Sequence, residues 1–193
     1  LATTGDSGAV LIGSGESTGG TAGGVFVTVG KASTGEGGGV EITAGESGDN
    51  SGGTVTVTTG EGTATSSGDL VMKTAAGGTS GVSGLVSMST GSTTIGNTGG
   101  IYIGSGQAVS GRSGEVSVTV GSGNSGSGGD MLLSAGATSS ATGKTGGKIE
   151  ITSGKSGETS SGAIVISTAG GGTTGGVTGL IALSTGLATT GDS

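Results

Sequence analysis

Residues Gly52–Met72 read GGTVTVTTGEGTATSSGDLVM, and this stretch decides how the chain is organised. Val55 and Val57 alternate with threonines, as do the side chains of a β-strand with one apolar face. A glycine stands two places before the pair (Gly53) and another three places after it (Gly60). Fifteen residues further on the same frame recurs, with Gly68 before Leu70 and Met72.

Working outward, the frame fills the chain. Twelve apolar pairs begin at Val10, Val25, Val40, Val55, Leu70, Val86, Ile101, Val116, Met131, Ile149, Ile164 and Ile181, with spacings of 15, 15, 15, 15, 16, 15, 15, 15, 18, 15 and 17. The glycines two places ahead are Gly8, Gly23, Gly38, Gly53, Gly68, Gly84, Gly99, Gly114, Gly129, Gly147, Gly162 and Gly179. Ten pairs are followed by a second glycine; Ala75 and Ala169 replace it in the other two. The irregular spacings fall in the polar stretches, where extra residues cost least.

Composition sharpens the reading. Of 193 residues, 52 are Gly, 30 Ser and 32 Thr, with one Phe, one Tyr and no Pro, Cys, His or Trp. Disulfides and thiolate metal sites are excluded, and the commonest general base is missing. The absence of Pro and of glycine at every third place excludes collagen. No apolar run reaches the length of a membrane span, and a net charge of −7 disfavours nucleic acid. No enzyme, cofactor or metal site is expected. Few charges and a regular apolar period argue against a disordered linker.

One short strand per fifteen residues predicts an all-β solenoid, a parallel β-helix of about twelve turns with glycine at the corners and no helices. The corner glycines are expected to turn the backbone through positive φ or to permit close approach. Residues 1–193 read as one continuous solenoid. Residues 1–7 and 187–193 both read LATTGDS, so 187–193 look like the start of the next copy of a 186-residue unit. That unit divides into six-turn halves, 1–91 and 92–186: VFVTVG at Val25 matches VSVTVG at Val116, and LVMKTA at Leu70 matches IVISTA at Ile164. Polar capping turns are not evident, as expected of a slice of a longer array.

The residue between the members of each pair faces outward. Seven of these twelve are apolar, among them Leu11, Phe26, Val71, Tyr102, Leu132 and Val165, which are candidate lateral contacts. The next outward column carries hydroxyls at nine of twelve places, including Thr28, Thr43 and Thr58. It is similar to the threonine ladders of insect antifreeze proteins, although only Thr56/Thr58 fits their Thr-x-Thr pattern.

GGTVTVTTG at Gly52–Gly60 and SGEVSVTVG at Ser113–Gly121 resemble the glycine-rich tandem repeats of β-solenoid fibre and surface proteins. Such repeats occur in microalgae and other stramenopiles, and in phage tails and bacterial surface proteins. The resemblance implies an extracellular structural filament or appendage, its partner being other copies of itself through head-to-tail repetition and lateral association. The alternatives are an adhesin or surface-binding module for glycan or mineral, and an ice-binding protein.

Overall fold

The computed structural model describes residues 7–140, 142 and 144–187. Among them there is no helix and no strand, and no residue is buried. This corrects the expectation of a β-solenoid or parallel β-helix. A solenoid needs each turn to donate and accept along its whole strand, yet only five backbone hydrogen bonds link the described residues outside regular structure. The physical reason lies in the other wall. Each period offers its aliphatic pair on one face, and the Gly/Ser/Thr stretch that should lie opposite has few side chains large enough to cover it; Val82, Ile95, Val109 and Val177 occur there and stay 90–95% exposed. The accessible surface is 18926 Å², roughly three-quarters of the ~25000 Å² expected of an unfolded chain of this mass.

The fifteen-residue period nevertheless has a structural counterpart. Side chains two apart share a face: Thr43 Oγ1 donates to Glu41 Oε1 at 3.2 Å, and Lys148 pairs with Glu150. On the opposite face, the two apolar residues are followed by a third residue, and the polar stretch returns to it. Ala44 follows Val40 and Ile42 in this way, and the chain comes back so that Gly53 donates its amide to Gly45 O at 2.8 Å. Equivalent bonds run from Gly68 to Gly60 (3.0 Å), Gly147 to Gly136 (2.8 Å) and Gly162 to Gly154 (2.9 Å). These four polar stretches are therefore Ω-like loops whose ends meet.

The chain divides into two units, Leu1–Ile101 and Tyr102–Ser193, and each contains the same series of closures. Gly23 lies against Ser14 in the first unit and Gly114 against Ser105 in the second. Gly38 against Val29 corresponds to Gly129 against Val120, and Gly84 against Thr74 to Gly179 against Thr168. The hydrogen-bonded closures also match: 45–53 with 136–147, and 60–68 with 154–162. The 136–147 loop is three residues longer than its counterpart, a change in closure entropy of only about 0.3 kcal/mol.

Six described residues are half-buried, and they form three equivalent pairs: Ala44 and Ala135, Thr59 and Ser153, Gly62 and Ser156. Four of them are the third same-face residues at the hydrogen-bonded closures. What shielding this chain achieves is thus at the loop bases, among small side chains, rather than in aliphatic columns.

Close approach marks some of the corner glycines, whereas Gly8 has nothing within 4 Å of a Cβ position. A methyl group on Gly38 would lie 2.8 Å from Val29 Cγ1, and one on Gly53 would lie 3.1 Å from the backbone nitrogen of Gly45. Positive φ occurs elsewhere among the described residues, at Gly96 (110°), Gly126 (76°) and Gly175 (82°), inside the polar loops. Gly96 shows the use of it: its carbonyl turns to accept from Thr93 Oγ1 at 3.0 Å. Other loops are tied by hydroxyls, with Asn50 N donating to Ser47 Oγ (3.0 Å) and Thr159 N to Ser156 Oγ (2.9 Å). These are the local side-chain-to-backbone bonds that Ser and Thr offer in place of regular structure. The repeated LATTGDS falls almost wholly outside the described residues, at 1–6 and 188–193.

Candidate self-association surface

The apolar side chains are graded by position within the period. From Val25 onward, the first members of the pairs are 46–59% exposed, because the preceding loop closure stands beside them; the second members are 63–87% exposed. Val10, whose preceding loop would lie in part outside the described residues, is 88% exposed. The six candidate lateral contacts are 71–97% exposed, a range that overlaps the second members: Leu11, Phe26 and Val71 in the first unit, Tyr102, Leu132 and Val165 in the second. Phe26 covers backbone of its own period, its ring folding back over Gly24 so that a methyl group there would lie 3.0 Å from Cε2.

Each period leaves two apolar positions open on one face, and seven of the twelve add a third on the other. Between them stand polar neighbours that satisfy one another locally, such as Glu41 with Thr43 and Lys148 with Glu150. The Lys148–Glu150 pair is well exposed, so it fixes local side-chain directions and contributes little to stability. Leu11 and Tyr102 occupy equivalent places in the two units, as do Val71 and Val165. Phe26 corresponds to Ser117, and Leu132 to Glu41, so the two units offer related but unequal faces.

Among the described residues no pocket opens, no group of three or more metal-ligating side chains gathers, and no helix is long and apolar enough to cross a membrane. No described side-chain polar atom is buried without a partner.

Position three of each face was not singled out from the sequence, although its signal is legible there. Ser14, Val29, Ala44, Thr59, Thr74, Thr90, Ser105, Val120, Ala135, Ser153, Thr168 and Thr185 are all small or β-branched. No long side chain stands at the place where the next loop must come back.

No protein family, no characterised protein and no solved structure matches the chain.

Proposed function

We propose that this chain is a structural protein that assembles laterally with copies of itself, as the repeating material of an extracellular filament or appendage. One observation carries the reading. Among the described residues the least exposed large aliphatic side chain, Ile181, is still 46% exposed. Burying these open aliphatic side chains is the main favourable free energy available to this chain. A second copy is the natural occupant, because it presents the same apolar spacing of about fifteen residues and the same small, polar loops between. The extracellular setting rests on the resemblance of the repeat motif to fibre and surface proteins.

Sedimentation velocity of the full chain over a concentration series tests this. Large species that grow with concentration, accompanied by loss of binding sites for a hydrophobic dye, are the expected result. A single monomeric species up to the solubility limit would overturn it.

A further inference from the structure

Charge differs between the two units far more than their closures do. Residues Leu1–Ile101 contain eight carboxylates and two lysines, net −6. Residues Tyr102–Ser193 contain five carboxylates against three lysines and one arginine, net −1. The contrast is concentrated on loops with matching closures. The 45–53 and 60–68 loops carry Glu46, Asp49 and Glu61, and Asp69 follows immediately. Their counterparts, 136–147 and 154–162, carry Lys144, Lys155 and Glu158. Glu61 and Lys155 occupy the same place, each directly after the glycine that accepts the closing bond. All of these side chains are exposed, and the flanking Lys148 is engaged by Glu150.

Resting on the self-association reading above, we propose that the first unit of one copy packs against the second unit of another. Pairing like units would set −6 against −6 and −1 against −1. Pairing unlike units sets −6 against −1 twice, about one-third of the summed charge product. Screening limits these terms to groups within about 8 Å at physiological salt, so the loops at the contact decide. There, Lys144 and Lys155 of one copy meet Glu46, Asp49 and Glu61 of the next. A contact between two different surfaces leaves each copy with one of each unsatisfied, and it propagates into an open chain of copies unless the rotation closes. Charge complementarity of this kind sets register and partner choice more than raw affinity.

Two double variants of equal net charge test the proposal. Lys144→Glu with Lys155→Glu, and Lys31→Glu with Lys73→Glu, each change two residues by −2 and so take the chain from −7 to −11. The first pair makes the second unit acidic and abolishes complementarity; the second pair only deepens the charge of a unit already acidic. The concentration for half-assembly is measured by light scattering in low and high salt. The expected result is that the Lys144/Lys155 variant needs at least about tenfold more protein than the Lys31/Lys73 variant in low salt, with the gap narrowing in high salt. Equal shifts in the two variants, or no shift in either, would overturn unlike-unit pairing while leaving self-association standing. A wild-type chain that stays monomeric at every salt concentration would remove the underlying reading as well.

Discussion

Gly53 donates its amide hydrogen to the carbonyl oxygen of Gly45 at 2.8 Å, and Gly147 repeats this on Gly136 at the same length, six periods further along the chain. Between each pair of glycines lies a polar loop of different sequence and, in the second case, greater length. Conservation of the closure through that change identifies the loop base as what holds this chain's local structure. Ala44 and Ala135, small and half-buried, sit beside the two bonds.

Such a bond contributes about 0.5–1.5 kcal/mol net. The loops should therefore be closed most of the time and still open readily. Amide exchange of the dilute chain followed by NMR is expected to slow by roughly three- to tenfold at Gly53, Gly68, Gly147 and Gly162. Amides that donate no hydrogen bond should exchange at the rates of an unstructured peptide. Protection of many orders of magnitude across whole periods would show a hydrogen-bonded ladder and contradict the structure.

Gly53→Val should open its loop. A Cβ there meets backbone nitrogen of Gly45 at 3.1 Å and the Ala44 methyl at 3.3 Å, and backbone cannot yield as a flexible side-chain tip can. The expected outcome is loss of protection at residue 53 with no change at Gly147. Gly39→Ala, where nothing lies within 4 Å, is the control and should leave all four closures intact.

How far the sequence discloses this molecule depends on which force is asked about. Periodicity at Val40/Ile42 and Val55/Val57 is legible in the sequence, and the close approach found at Gly38 and Gly53 is a local matter of steric fit. The β-solenoid does not follow, because a strand needs partners along its length and a covered face, and neither is a property of one period. Glu41 and Thr43 show the difference: they alternate as strand residues do and bond to each other instead of packing across a ladder. Alternation predicts an outward Leu11 and an inward Val10, yet these are 97% and 88% exposed; the charge contrast between loops with matching closures emerges only once those closures are known.

Heating the dilute chain should give no cooperative transition. Cooperative unfolding and its heat-capacity change come from exposing buried apolar surface, and no described residue is buried. Calorimetry below the assembly concentration is expected to be featureless, while the assembled material should melt with an endotherm. A sharp endotherm that is independent of concentration would indicate a core within the single chain.

Tyr102 provides the most direct reading of assembly. It is the only tyrosine in a chain without tryptophan, and it is 97% exposed. In dilute solution its fluorescence should be quenched by acrylamide as efficiently as free tyrosine. On assembly the quenching constant should fall several-fold if the outward column is the contact. Phe26→Ser combined with Leu132→Ser removes two large side chains from that column, each worth about 1.5–3 kcal/mol when fully buried. Half-assembly should then require at least about tenfold more protein, with Tyr102 protected again once it is reached. Assembly at the wild-type concentration with Tyr102 still open to quencher would place the contact on the other face, along Val25, Val27 and their equivalents.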